Sequence, residues 1–218
     1  MTSIDIKKEF GSDFRDIWRN LNTNDNFLLE LKARNFMLPA ALPKGPHLLF
    51  LGLNPSFTSG SNGQERNGNY YHLQQSGNDY PRYWRAFEDM AKNIGEEKPV
   101  SWSHLDLLAI RHTKAKDILP YFDTPFIQAQ TQIFTRILTE IHPQFIIVTN
   151  TKVRDWFWKS SSFSIEERQG KGAHTIFYDN WSCPIFFTGM LSGQRALDIG
   201  SRERLVWHVK NYDRITIQ

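Results

Sequence analysis

The sequence predicts an α/β fold: a three-layer α/β/α arrangement around a central, mainly parallel four-stranded sheet. Three observations carry this. Short apolar runs end in polar loops, segments with apolar residues three and four apart lie between them, and the two kinds alternate along the chain. That order suits a parallel sheet covered by helices on both faces. The expected organisation is an N-terminal helical extension over residues 1–45 followed by one α/β domain over residues 46–218. With 40% hydrophobic and 14% aromatic residues in 218, a sizeable core is expected.

The elements follow in order. Ile6, Phe10, Phe14, Ile17, Trp18 and Leu21 recur at helical spacing, and a second helix is expected over Asn26 to Phe36. Pro39, Pro43, Gly45 and Pro46 then punctuate the chain before a first strand, His47 to Leu53. The long loop after it, SFTSGSNGQERNGNYYHLQQSGNDY, has a length that marks functional or disordered loops. Pro81 opens a helix that carries Trp84, Phe87, Ala91 and Ile94 on one face, and Gly95 closes it. Residues 104–110 (HLDLLAI) read as a second strand. Thr124 and Pro125 open a long helix burying Ile133, Phe134, Ile137, Leu138 and Ile141. Residues 144–149 form a third strand, Val153 to Trp158 a short aromatic helix, 174–178 an edge strand or hairpin arm, and 184–189 a fourth core strand. Ser201 is expected to cap a last helix that runs to about Asn211. In such sheets ligands bind beyond the carboxyl ends of the strands, which singles out the loops at 54–71, 111–116 and 190–200.

Composition narrows the function. A net charge of +3 permits a nucleic-acid partner without demanding one. Cys183 is the only cysteine, so a disulfide within the chain and a four-cysteine metal site are both excluded. The start, MTSIDIKKEF, has no apolar stretch of signal-peptide length, and no run nears the roughly 20 apolar residues of a membrane helix. A cytoplasmic location is expected, or a nuclear one in a eukaryote. There is no P-loop and no HExxH, and in GMLSG Ser192 sits one place too late for a nucleophile elbow. The seven histidines lack ligand spacing, so no metal is expected, and no cofactor is needed where water is the nucleophile.

Five stretches in fixed order then carry a resemblance: LGLNPS, PRYWRAFEDMAKNIG, DLLAIRHTKA, IHPQFIIVTNTKVRDWF and PIFFTGMLSGQ. Together they resemble the uracil-DNA glycosylase superfamily over roughly residues 46–210, nearest to its mismatch-specific and single-strand-selective branches. The resemblance implies a fold of that type and, residue by residue, a site. Gly52, Asn54 and Pro55 match the family's Gly-x-Asn-Pro motif, with Leu53 between them. Asn54 would hold the water that attacks the sugar C1′, since an amide carbonyl orients water without competing as a nucleophile. The plain alternative is a turn cap before Pro55. Ser56 stands where the family has glycine and narrows the space beside the base. Tyr70 or Tyr71 would stack on a flipped base. Trp84 and Phe87 are expected in the core.

Asp106 falls where related branches place an asparagine that reads the uracil edge. An ionised Asp106 accepts hydrogen bonds only, which disfavours uracil O4; the alternative is that it pairs with Arg111 or His112 and reads nothing. Met190 stands where the family carries the histidine that stabilises the departing base, and it has no strong donor. Ser192 and Gly193 are kept and suit a phosphate contact, while Gln194 or Arg195 would be the wedge that fills the space left by a flipped nucleotide. The implied function is a DNA glycosylase-like monomer that hydrolyses the N-glycosidic bond of a damaged or deaminated base. Two alternatives stay open: a nucleic-acid-binding protein of the same fold without activity, and an enzyme on a free nucleoside or nucleotide.

Overall fold

The structure is a computed structural model, and it describes residues 2–57, 68–72, 82–95, 100–168, 172–192 and 196–212. The chain opens with strand β1 (Thr2–Asp5) and helix α1 (Ile6–Arg19). Asp5 caps the helix by accepting from the Lys8 amide at 3.0 Å. Ile6, Phe10, Phe14 and Trp18 line its buried face, as their spacing demands. Helix α2 (Asn26–Arg34) follows; Asp25 caps it, and Asn35 ends it at a φ of 59°, in the left-handed range that asparagine tolerates.

Two short strands come next, β2 (Met37–Pro39) and β3 (Ala41–Lys44). The prolines of this stretch were expected only to punctuate the chain. Pro39 and Pro43 sit instead in two-stranded ribbons: β3 pairs antiparallel with β1, and β2 pairs parallel with β5 (Asn69–Tyr71). Two-stranded ribbons leave one side of each strand unpaired, where a missing N–H costs nothing.

Strand β4 (Leu48–Gly52) is buried along its whole length. Helix α3 (Arg82–Gly95) precedes β6 (Trp102–Asp106), and the expected strand at 104–110 is corrected: pairing stops at Asp106. The apolar residues beyond it are buried in irregular chain, with Leu107 and Leu108 donating to the carbonyls of Gly52 and Leu53. After α4 (Ala115–Ile118) and a short 3-10 turn come α5 (Pro125–Ile141), β7 (Phe145–Val148), α6 (Thr151–Lys159), β8 (Ser164–Arg168), β9 (Ala173–Tyr178), β10 (Trp181–Phe187) and α7 (Ile199–Lys210). Asp198, not Ser201, caps α7: its carboxylate accepts from the Ser201 amide at 2.9 Å and from the Ser201 hydroxyl at 2.7 Å.

The central sheet has six strands rather than four, in the order β6-β4-β7-β10-β9-β8. The first four run parallel; β9 and β8 are antiparallel additions. Residues 174–178 are thus a hairpin arm, and the edge belongs to β8, whose sequence SIEER carries charges that discourage further pairing. Alternation along β4 separates two cores. Leu48 and Phe50 pack with Phe87, Met90 and Ala91 of α3 and Leu205 and Val209 of α7. Leu49 and Leu51 pack with Ile137, Leu138 and Ile141 of α5, with Val153 and Phe157 of α6, and with the buried face of α1. No helix among the described residues is long and apolar enough to cross a membrane.

Candidate active site

Asn54 lies two residues beyond the end of β4, where the chain leaves the sheet. Its Nδ2 donates to three carbonyl oxygens: Ile110 at 3.1 Å, His112 at 2.6 Å and Pro55 at 3.1 Å. Three acceptors around one end of an amide decide its orientation, because only the nitrogen can donate. The oxygen, which takes no hydrogen bond from another described residue, is what Asn54 offers to the cleft.

The receiving carbonyls are themselves held. The His112 amide donates to the Pro55 carbonyl at 3.0 Å. The His112 ring meets Arg34 Nη1 at 2.6 Å through Nδ1 and Asp117 Oδ2 at 3.0 Å through Nε2. Arginine only donates, so Nδ1 accepts and the Nε2–H points at Asp117. Arg34 also binds Glu30 and lies 4.2 Å from the centre of the Phe57 ring. Arg111 Nη1 donates to the Arg34 carbonyl at 2.9 Å. The segment that fixes Asn54 is therefore tied to α2 from behind.

Asp106 ends β6 and is the register partner of Gly52. A Cβ at position 52 would collide with Asp106 Oδ1 and come within 3.2 Å of His104 Nε2, so only glycine leaves this niche open. Burial pushes the Asp106 carboxyl up to about 7. Burial likewise pushes His104, 1% exposed, down to about 3, so its ring is neutral. The hydroxyls of Tyr71 and Tyr83 are both held well above the usual tyrosine range, first by burial and then by the nearby Asp106 charge.

These groups line one cleft of about 680 Å³: Met37, Asn54, Pro55, Ser56, Tyr71, His72, Tyr83, Trp84, His104 and Asp106. Its walls are aromatic. Tyr71 lies nearly parallel to Trp84 at 6.1 Å, and Tyr83 and His104 meet Trp84 edge-on at 4.8 and 4.9 Å. A cavity of that size with flat apolar walls and a few polar groups suits a planar heterocycle. No protein-family model and no curated protein matches this chain.

The structure separates the expected site residues into groups. Asn54, Pro55, Ser56, Tyr71 and Asp106 share the cleft, with Gly52 beneath them. Tyr70 does not: neighbouring residues of β5 point to opposite sides, and its ring packs against Phe36 at 6.0 Å with Lys7 Nζ 5.6 Å away. Leu53 is core rather than lining, 4% exposed, and reaches the site only through its backbone. The pairing of Asp106 with Arg111 or His112 is not seen; His112 pairs with Asp117. Met190 is 43% exposed beyond β10, outside the residues that line the cleft, and its carbonyl accepts from Leu197 at 2.8 Å. Ser192 is half-buried in the same turn, while Gly193, Gln194 and Arg195 lie outside the described residues. Phe87 is core as expected, but Trp84 is a wall of the cleft. His104, Tyr83, Met37 and His72 were not anticipated. A signal for His104 existed: two residues before Asp106 on a strand, it must share that residue's face.

Proposed function

We propose that the cleft is a nucleobase pocket and that the protein is a DNA glycosylase-like hydrolase of the uracil-DNA glycosylase type. The four parallel strands with helices on both faces are read as the three-layer core of that fold, with the β8–β9 hairpin added at one edge. The observation that carries the reading is Asn54: an amide whose nitrogen is pinned by three carbonyls and whose oxygen is presented to an aromatic cleft. In the proposed reaction a flipped base enters between Tyr71 and the opposing wall. The bond between C1′ and the base nitrogen breaks, and its electrons leave with the base. Asn54 Oδ1 holds a water whose oxygen bonds to C1′; the proton that water loses ends on the departing base or in solvent. A fixed dipole of this kind acts without reorganising during the reaction. Asp106 and His104 face the base as polar contacts.

One observation favours a second reading. The β10 end brings no hydrogen-bond donor to the cleft from Met190, which suits a protein of this fold that binds bases without releasing them. One assay decides between the two. Labelled single- and double-stranded oligonucleotides carrying uracil, hypoxanthine, xanthine or an alkylated base are incubated with the protein, with chelator, at low and high salt. Release of a free base supports the glycosylase reading. Salt-sensitive binding without any release supports the second, because contacts to phosphate weaken steeply with salt. Turnover of free nucleosides, indifferent to salt, would contradict both.

A further inference from the structure

Asp106 is a half-buried carboxyl with no cation among the described residues to hold its charge. The groups that face it can be taken element by element. From β4 come Gly52 and, just beyond, the neutral Asn54; from β5 and the residue after it, the Tyr71 hydroxyl and His72; from α3, the Tyr83 hydroxyl; and from β6 itself, His104. No lysine or arginine lines the cleft among the described residues. The nearby cations are engaged elsewhere: Arg34 with Glu30 and His112, and Arg111 with the Arg34 carbonyl. His104 is buried, and neither ring nitrogen has a hydrogen-bond partner. A buried acid in such surroundings stays protonated more readily than a solvated one.

We propose that Asp106 meets its ligand as a neutral carboxylic acid, whose O–H and C=O, side by side, read a heterocycle edge bearing one donor and one acceptor on adjacent positions. A protonated carboxyl offers the donor–acceptor pattern of a carboxamide; an ionised one offers two acceptors and demands two donors. The ligand class that fits is a cyclic amide, with a ring N–H beside a carbonyl, as in uracil or hypoxanthine. An amino base presents the same pair in reverse order, so Asp106 selects the paired edge, and the shape of the cleft does the rest. The inference rests on reading the cleft as a base pocket. It also replaces the expectation that Asp106, as an acceptor only, turns uracil away. The acidity pushed up to about 7 agrees with it, and His104, neutral throughout this range, adds a donor that does not titrate.

The test measures binding of free uracil and free hypoxanthine by NMR titration at pH 5.5 and 8.0, to the wild type, Asp106→Asn and Asp106→Ala. The neutral form falls to about one part in ten at pH 8.0, so wild-type affinity should drop about tenfold between the two conditions. Asp106→Asn keeps the pattern and cannot titrate. It should bind near the wild-type low-pH affinity at both pH values. Asp106→Ala should bind weakly at both. Tighter wild-type binding at pH 8.0, loss of binding in Asp106→Asn, or no binding of either base by the wild type would each overturn the proposal; the wild-type profile needs no variant to fold. Base release from oligonucleotides, run alongside, keeps the two readings apart. Binding with the expected profile but no release leaves the inference standing and removes the glycosylase reading. Release by the wild type that Asp106→Asn abolishes does the opposite.

Discussion

The carboxyl edge of the parallel sheet has two ends, and they are built differently. Beyond β4 and β6, the half-buried Asn54 oxygen and Asp106 carboxyl take no hydrogen bond from another described residue, and the buried His104 ring has no partner at either nitrogen. Beyond β10, the chain presents the exposed Met190, whose carbonyl accepts from the Leu197 amide, and Leu191, whose carbonyl accepts from the Arg202 side chain of α7. Buried polar groups in native proteins are nearly always paired, so a cluster of unpaired ones marks a place kept for something else. On the reading proposed above, the ligand belongs at the β4–β6 end and Met190 is peripheral. Two parts of one sheet edge, both expected to serve the site, are thus unequal.

The largest effect that sharpens this contrast is on stability. The Asp106 carboxyl holds its proton up to about 7 in the folded protein but loses it near 3.8 in the unfolded chain. The contribution of Asp106 to stability is therefore fully present below about pH 4, is lost as pH rises to about 7, and does not change further above that. Asp106→Asn escapes that loss. It should be as stable as the wild type at pH 4 and more stable at pH 8, by up to about 4 kcal/mol in denaturant titrations. A gap of equal size at both pH values would show that the carboxyl is not held neutral by the fold. Next in size is Gly52→Ala. Its Cβ must displace Asp106 or His104, so a loss of about 1–3 kcal/mol is expected, together with loss of base binding. Unchanged binding in a stable Gly52→Ala protein would mean that the niche is not used. The smallest effect belongs to the other end: Met190→Ala should shift stability by less than about 0.5 kcal/mol and leave base binding unchanged. A large loss there would break the contrast.

Much of the fold could be read before the structure. Strand β4 is apolar throughout, and its exit through Asn54 and Pro55, with Asp106 at the end of the next parallel strand, pointed to residues that the structure brings together in one cleft. What escaped did so for physical reasons. The run Leu107 to Ile110 is as apolar as a strand, yet it forms no ladder beyond an isolated bridge between Ile110 and Phe36; burial and pairing leave the same trace in a sequence. Strand β8 has almost no apolar residue because it sits at an edge. Tyr70 and Tyr71 could not be told apart because side-chain direction depends on the register of β5, three residues long. The short strands β2 and β3 each contain a proline that reads as a break. Trp84 looked like core because it shares the apolar stripe of α3; only the position of that helix near the strand ends makes it a wall.

The central claim is that Asn54 positions the water, and one measurement addresses it most directly. Single-turnover base release is compared between the wild type and Asn54→Ala on the oligonucleotide that the wild type processes best, with binding measured in parallel. The account predicts that release falls by about 100-fold or more while binding is retained, since a misplaced reactant costs at least that much. Release by Asn54→Ala at the wild-type rate would contradict it, and would leave Asn54 as a turn residue that braces the segment from Ile110 to His112.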